Sequence, residues 1–269
     1  NRQSKGRALQ NMINIQKGDK VCAFIHVKNL NDQEFVQNHY LIFATKDGLM
    51  KKTTLESYSR PRANGIIALG LREDDRLIRV TLTDGKSQML VASYNGKVVR
   101  FPEDTVRPMG RTATGVRAIK LDEDGKDRVV GMICVEDGSQ DTVLVISEKG
   151  YGKRTLLDDE NGEPIYRITN RGGKGVKTMN VTEKTGNLIG MEAVNDDQDL
   201  MLITKSGTAI RMAMNAISVL GRATQGVKLI ELQKRNDTLM FGCTVPKEET
   251  EEVVENAEAI TDNVSTVEE

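Results

Sequence analysis

The chain has 269 residues, of which 38% are hydrophobic and 29% are charged, enough to bury a core and to build one large or two small domains. It contains neither a run of about 18 apolar residues nor a charged segment followed by an apolar leader, so we expect no membrane span, no secretion signal and a cytoplasmic location. Cys22, Cys134 and Cys243 lie far apart in apolar runs, which excludes the usual zinc spacing and predicts that they occupy buried strand faces.

The net charge of −1 conceals an uneven distribution of charge along the chain. Residues 246–269 contain nine acidic residues and one lysine, so residues 1–245 carry 37 Lys and Arg against 30 Asp and Glu, a net charge of +7. A basic body predicts a polyanionic partner. We interpret 246–269 as a disordered acidic tail, which either competes for that partner's surface or serves only solubility.

The plan of the predicted elements is clearest at residues 39–87. A strand at 40–45 leads through the turn Lys46-Asp47-Gly48 into a returning strand, which is typical of a β-hairpin. A loop that contains the sequence RPRANG then leads into the apolar run 66–71, the third predicted strand, and a fourth strand follows at 76–82.

Three further copies of this plan occupy residues 88–140, 141–197 and 198–245, and a partial copy occupies residues 1–38. The hairpin glycines Gly48, Gly96, Gly150 and Gly207 are 48, 54 and 57 residues apart. In the partial copy we predict strands at 7–15 and 19–27 and an irregular loop at 29–38. Short helices are predicted only at 104–109 and 214–219.

A second motif, Arg-x-x-x-Gly, recurs in step with the hairpins at residues 2–6, 111–115, 171–175 and 222–226, with a variant at 60–65. Its final glycines are 59, 50, 60 and 51 residues apart, a period that belongs to arrays of small sheets. Sheets arranged radially cover one another's faces and protect their edges. The sequence therefore predicts an all-β, propeller-like ring of four-stranded blades over residues 1–245.

Cations recur at equivalent places in these repeats. One cation lies four residues after each hairpin glycine, and others lie in the Arg-x-x-x-Gly loops, where the sequence RGGKG at 171–175 could bring backbone N–H groups and positive charge to a phosphate. We interpret the set as a basic outer rim for bent duplex DNA; the alternative is that each is an ordinary solvated strand residue. Besides Arg2 and Lys5, the candidate DNA contacts are Lys51, Lys52, Arg62, Arg100, Arg111, Lys153, Arg154, Arg171, Gly172, Gly173, Lys174, Gly175, Arg211 and Arg222.

Neither a catalytic site nor a cofactor site is predicted. The chain has two histidines, and neither accompanies a Ser or Cys motif that would form a nucleophile with its base. A phosphate-binding P-loop would require glycine where Ile168 stands and Ser or Thr directly after Lys174. The chain has five Phe, five Tyr and no Trp, so it offers few aromatic side chains on which the bases of a single strand could stack. Duplex DNA is therefore the favoured nucleic acid.

Several segments together resemble the C-terminal domain of the A-type chain of bacterial DNA gyrase: YNGKVVRF at 94–101, RTATGVRAIKL at 111–121, EKGYGKRT at 148–155, VTEKTGNLIG at 181–190 and ISVLGRATQGV at 217–227. The resemblance extends over residues 1 to about 245. It implies a six-bladed β-pinwheel with strands exchanged between blades, which wraps duplex DNA around its basic outer edge. It also implies a parent ATP-dependent type IIA topoisomerase, an A2B2 heterotetramer of A-type and B-type chains, whose ATP and Mg²⁺ lie outside this domain.

Two departures from the family are visible. Its seven-residue box, Gln-Arg-Arg-Gly-Gly-Lys/Arg-Gly, has Thr169 and Asn170 in the first two places here and matches from Arg171 to Gly175. The chain also begins midway through what would be the second blade, so we expect a fragment with about four and a half blades and without the DNA-cleaving tyrosine. The alternatives are the corresponding domain of topoisomerase IV and, in another class, a propeller-like scaffold for protein interactions that would use an apolar patch.

Overall fold

The computed structural model describes residues 18, 20–27, 29–62, 64–123, 125–232 and 237–247. This part of the chain contains one α-helix, α1 (Gln33–Asn38), and fifteen β-strands arranged in four small sheets. The predicted all-β, propeller-like fold is confirmed. The motif at 2–6, the predicted strand at 7–15 and the acidic residues beyond Lys247 lie outside the described residues.

Each sheet is built on one of the predicted hairpins, and the sheets are called blades 1 to 4. Blade 1 contains β1 (Tyr40–Thr45), β2 (Leu49–Thr54), β3 (Leu77–Thr83) and β6 (Val116–Arg117). Blade 2 contains β4 (Gln88–Ser93), β5 (Lys97–Pro102), β7 (Val129–Val135) and β10 (Val176–Lys177). Blade 3 contains β8 (Thr142–Ser147), β9 (Tyr151–Thr155), β11 (Leu188–Val194) and β14 (Val227–Lys228). Blade 4 contains β12 (Gln198–Thr204), β13 (Ala209–Ala213) and β15 (Leu239–Pro246).

Blades 1 to 3 each take their outermost strand from the following repeat. The strand order is β3-β1-β2-β6 in blade 1, β7-β4-β5-β10 in blade 2 and β11-β8-β9-β14 in blade 3. The exchanged strands pair antiparallel with the returning strand of the preceding hairpin, as in the pairing of Met50 with Val116. The strand exchange that the resemblance implies is therefore present, whereas the apolar run 66–71, which we predict as the third strand of its repeat, forms no strand within the described residues.

The final glycine of Arg-x-x-x-Gly makes the exchange sterically possible. Gly115, Gly175 and Gly226 have φ of +100°, +72° and +76°. A Cβ added to them would lie 2.4, 2.4 and 2.6 Å from a carbonyl oxygen of the preceding blade. Only glycine combines that backbone conformation with so close an approach. We call the segments 111–115, 171–175 and 222–226 the crossing loops, because each carries the chain from its own blade onto its neighbour.

Replacing Gly115 by Ala is therefore expected to destabilise the protein by about 1–3 kcal/mol, because the new methyl group meets Met50 O and the backbone is strained. Chemical denaturation measures the loss. Gly110→Ala is the matched control, since a Cβ there has nothing within 4 Å. Equal stability losses in the two variants would contradict a specific requirement for glycine in the crossing loop.

The ring is held together by hydrophobic layers between consecutive blades. One layer joins Leu90 and Ala92 of blade 2 to Val143 and Val145 of blade 3, and equivalent layers join blades 1 and 2 and blades 3 and 4. The innermost strands β3, β7, β11 and β15 contact one another in that order. They surround a cavity of about 340 Å³ that all four blades line.

Blades 1 and 3 are also joined directly, since Arg79 donates two hydrogen bonds, of 2.6 and 2.8 Å, to Glu192.

Three local predictions require correction. Residues 33–38 are helical instead of irregular, because Asp32 caps the helix by accepting a hydrogen bond from Phe35 N and because Val36 is buried. Residues 20–27 form no strand, since none of the described strands pairs with them to satisfy their backbone groups. Cys22 is exposed, whereas Cys134 and Cys243 are half-buried and burial raises the pKa of the Cys134 thiol to about 11.

The helical predictions elsewhere hold only for single turns of 3₁₀ helix, at Glu103–Thr105 and Met214–Ala216. None of the helices in the described residues has the length and apolar character needed to cross a membrane.

Candidate nucleic-acid interface

Five of the cations predicted for the outer rim lie inside the protein. They are on β2, β5 and β9, which are third from the axis and are covered by the exchanged strands and crossing loops. Because their relative exposures are between 0% and 7%, they cannot meet a phosphate in this arrangement, and the expectation that they form an exposed rim is wrong. They are Lys51, Lys52, Arg100, Lys153 and Arg154.

Lys51 and Lys153 bind the main chain of the crossing loops. The Lys51 Nζ donates to Arg111 O at 2.5 Å and to Ala68 O. The Lys153 Nζ donates to Gly221 O and Arg222 O at 2.5 and 2.6 Å. Burial, and secondarily the neighbouring guanidinium of Arg111 or Arg222, lowers the pKa of each lysine to about 8.

The lowered pKa values predict how the stability of the folded protein depends on pH. The pKa of an unfolded lysine is near 10.5, so between about pH 8 and 10.5 the unfolded chain holds a proton that the folded chain has released, and stability rises with pH. Relative to Lys153→Met, the free energy of unfolding of the wild type is expected to rise across this window by an amount on the order of 1 kcal/mol. Denaturation at pH 7.5 and 10 measures it, and Lys86→Met, at an exposed lysine, should show no such difference.

Lys52, Arg100 and Arg154 form ion pairs with carboxylates. The nitrogen-to-oxygen distances are 2.8 Å to Glu103, 2.8 Å to Asp158 and 2.5 Å to Asp196, respectively. The first two carboxylates come from the next repeat, so these pairs join consecutive blades. The fourth member of the series, Arg211, remains exposed on β13 and donates to Asp199 at 2.7 Å and to Pro246 O at 2.8 Å.

The arginines that begin the second and third crossing loops link neighbouring crossings along the outer edge of the ring. Arg171 donates to Thr105 O at 3.2 Å and to Arg117 O at 3.3 Å, and Arg222 donates to Lys177 O at 2.5 Å. Both are half-buried, as is Arg111, whereas Arg62 and Lys174 are exposed. The loop cations among the described residues therefore lie at the outer edge, where two arginine head groups are held by backbone carbonyls.

Sequence reasoning missed the cations of the exchanged strands themselves. In β6, β10 and β14 a half-buried valine is followed by an exposed cation, which is Arg117, Lys177 or Lys228. The signal was present as Gly-Val-Arg/Lys directly after each Arg-x-x-x motif, 60 and 51 residues apart. Alternation along a strand turns the valine inward and the cation outward. Lys228 also contacts Glu231 at 2.6 Å, an exposed pair of the kind that contributes little stability.

The crossing loop 171–175 lines a recess in this edge. It encloses about 490 Å³ together with Val98, Val99 and Arg167, and none of the lining residues, all of them in the described part of the chain, is acidic. A Cβ added to Gly173 would have no protein atom within 3.4 Å, so packing does not require a glycine there. A glycine that packing does not require leaves the backbone open to close approach by a ligand. The loop residues predicted together, Arg171, Gly172, Gly173, Lys174 and Gly175, thus line one cationic recess.

Strand-exchanged blades around an axis, with one cation at the same register on each exchanged strand, define a class of propeller-like domains with a periodic basic edge. The family described as "DNA gyrase C-terminal domain, beta-propeller" matches residues 39–84, 88–136, 141–195 and 198–241, one match for each blade. The chain belongs to this family, and the resemblance drawn from the sequence is confirmed.

Relatives and solved structures agree with this assignment. The DNA gyrase A chain of Staphylococcus aureus strain NCTC 8325 is 42% identical over 264 residues, which are 98% of this chain and 28% of the relative. The protein of strain MRSA252 is 45% identical over 231 residues, 86% of this chain and 25% of the relative. The chain thus spans about a quarter of the length of these relatives.

Two solved structures share the fold. The C-terminal domain of a DNA topoisomerase IV superposes with a TM-score of 0.78 at 22% identity, covering 90% of this chain and 71% of that one. A DNA gyrase A C-terminal domain superposes with a TM-score of 0.73 at 22% identity, covering 90% and 76%. At this identity the likeness concerns the fold alone.

Proposed function

We propose that this chain binds duplex DNA through its phosphates along the outer edge of the ring and bends it, as the C-terminal part of a DNA gyrase A chain. In the complete enzyme this wrapping would support ATP-dependent negative supercoiling. The observation that carries the proposal is the recurrence of an exposed cation, Arg117, Lys177 or Lys228, on the outermost strand of three successive blades.

The physical argument starts from regular spacing. Equivalent positions on successive blades lie along an arc, and the ligand with regularly spaced negative charge that can follow an arc is the duplex backbone. Bending about 20–30 base pairs by roughly 40–90° costs on the order of a few kcal/mol, so several phosphate contacts in sequence are needed to hold the bend. The exposed cations at 62 and 174 and the recess at 171–175 add contacts on the same edge.

The partners and chemistry of the parent enzyme are part of the same proposal. We assign the gyrase B chain, the rest of the A chain, the A2B2 heterotetramer, ATP and Mg²⁺ to the complete cytoplasmic enzyme, because this chain corresponds to only 28% of the gyrase A chain that it resembles. The alternative within the family is the A-type chain of topoisomerase IV, whose C-terminal domain shares the fold and so does not separate the two. The similarity in sequence to gyrase A chains favours gyrase.

The decisive test separates wrapping from simple adhesion. Nicked circular DNA sealed with ligase in the presence of the protein is expected to have a shifted linking number, because DNA held on an arc retains that writhe when the nick is closed. A protein with only apolar partners would neither bind duplex nor shift the distribution. Duplex binding without any change in linking number would contradict wrapping and leave only a phosphate-binding surface.

A further inference from the structure

The three crossing loops are anchored alike at their glycine ends. Gly115, Gly175 and Gly226 each lie against a carbonyl of the returning strand of the preceding hairpin, at Met50, Val98 and Gly152. Each crossing also bonds to a neighbour on the outer edge: Gly172 N donates to Ala118 O at 2.7 Å, and Asn180 N donates to Thr224 O at 3.0 Å. Lateral bonding and the glycine anchor therefore recur around the edge.

The arginine ends are anchored differently. In blades 1 and 3 a fully buried lysine rises from the returning strand and donates to the carbonyl of the loop's arginine, Lys51 to Arg111 O and Lys153 to Arg222 O. The same position in blade 2 is Val99: it lies three residues after the hairpin glycine and pairs with Val91, as Lys51 pairs with Phe43 and Lys153 with Val145. Valine has no donor, so the loop 171–175 lacks the anchor from beneath.

The loop without a lysine anchor lies over a recess. Val99 itself lines that cavity of about 490 Å³, and the loop above it contains Gly172 and Gly173, where an added Cβ would have no atom of the protein within 3.4 Å. A segment that is bonded at its sides, lacks a bond from below and covers empty space can be displaced inward. The loops anchored by buried ammonium groups cannot move in this way without breaking the bond from the lysine to the arginine carbonyl, at Arg111 O or Arg222 O.

We propose that Lys51 and Lys153 are positioning residues that fix the first and third crossing loops, and that Val99 leaves the second loop, 171–175, as the adjustable contact of the DNA-binding edge. The part of this proposal that concerns DNA binding rests on the proposed function, and the part that concerns the mobility of the loops rests on geometry alone. Neither lysine is exposed, so neither contacts DNA, and any effect of changing them on DNA must pass through the loops.

The first experiment transfers the anchor. Val99→Lys introduces into blade 2 the residue that blades 1 and 3 already accommodate, and amide hydrogen exchange of residues 171–175, measured without DNA, is expected to slow by at least about threefold. Thr112→Lys, at an exposed position of the first crossing loop, adds the same charge without an anchor and should leave that exchange unchanged.

The same two variants give opposite results with DNA. Thr112→Lys is expected to raise duplex affinity, as an added exposed cation does. Val99→Lys is expected to lower affinity for bent or nicked-circle DNA by at least about threefold despite its extra positive charge, because the loop can no longer adjust. A gain in affinity for Val99→Lys equal to that for Thr112→Lys, or unchanged exchange at 171–175, would overturn the proposal.

The reverse experiment removes an anchor. Lys153→Val is expected to speed amide exchange of residues 222–226 and to weaken duplex binding at least about threefold, whereas Lys153→Arg, which keeps a donor, should restore both. Equal losses in the Val and Arg variants would assign Lys153 a purely structural role and overturn the positioning role. If Val99→Lys fails to fold, the variants Lys153→Val and Lys153→Arg still test the proposal. If the wild type does not bind duplex DNA, the proposed function is wrong, and the amide exchange measurements still test whether the lysines fix the crossing loops.

Discussion

Removing the three exposed cations of the exchanged strands, in the triple variant Arg117→Ala, Lys177→Ala and Lys228→Ala, is expected to remove about half of the salt dependence of duplex binding. If the wild type makes about six phosphate contacts, its affinity should fall roughly a thousandfold between about 50 and 200 mM salt. With about three contacts left, the same change in salt should cost only roughly fortyfold. Fluorescence anisotropy with a labelled duplex measures both slopes.

A charge-matched control separates specific contacts from net charge. Arg76, Lys86 and Lys205 are exposed and lie outside the exchanged strands, and their replacement by Ala removes the same total charge. This control should lower affinity only slightly and leave the salt slope near the wild-type value, because screened charges far from the DNA release no counterions. Equal slopes for the two triple variants would refute the assignment of the outer edge as the DNA path.

The largest effect on stability is expected where a charge would be left unpaired in the interior. Glu103 is fully buried and contacts the Lys52 Nζ at 2.8 Å, and it accepts a second hydrogen bond from the Thr83 hydroxyl at 2.7 Å. Glu103→Ala leaves the ammonium without its counter-charge and should destabilise the protein by about 3–5 kcal/mol. Urea denaturation monitored by circular dichroism measures the change in the free energy of unfolding.

The double variant Glu103→Ala with Lys52→Met tests the cause. Removing the lysine as well leaves no uncompensated charge, so the double variant is expected to be more stable than Glu103→Ala alone, although two residues have been changed. Asp158→Ala is a milder comparison, because this partner of Arg100 is half-exposed and its loss should cost about 1 kcal/mol or less. Additive losses at 52 and 103 would show that the ion pair does not dominate.

Much of this fold could be predicted from the sequence because its determinants are local. The hairpins follow from short apolar runs beside Asp-Gly, Asn-Gly, Lys-Gly and Ser-Gly turns, and the three inner strands of every blade lie where these runs predict them. The radial arrangement follows from repetition, since equal sheets with two apolar faces can cover one another only in a stack or ring. The cationic loops at the outer edge follow from the same period.

Tertiary structure alone decided which repeat each outermost strand joins and which cations are exposed. The sequence at 116–117 fits a strand equally well in either blade. The exchange is fixed by the close approach of Gly115 to Met50 O, and these two residues are 65 positions apart in the chain. That exchange covers β2, β5 and β9, so Lys51 and Lys153 turn from rim cations into buried anchors, while Arg117, Lys177 and Lys228 take the outer positions. A charged residue on a strand is exposed or buried according to what lies over the strand, and here the covering segment comes from the next repeat.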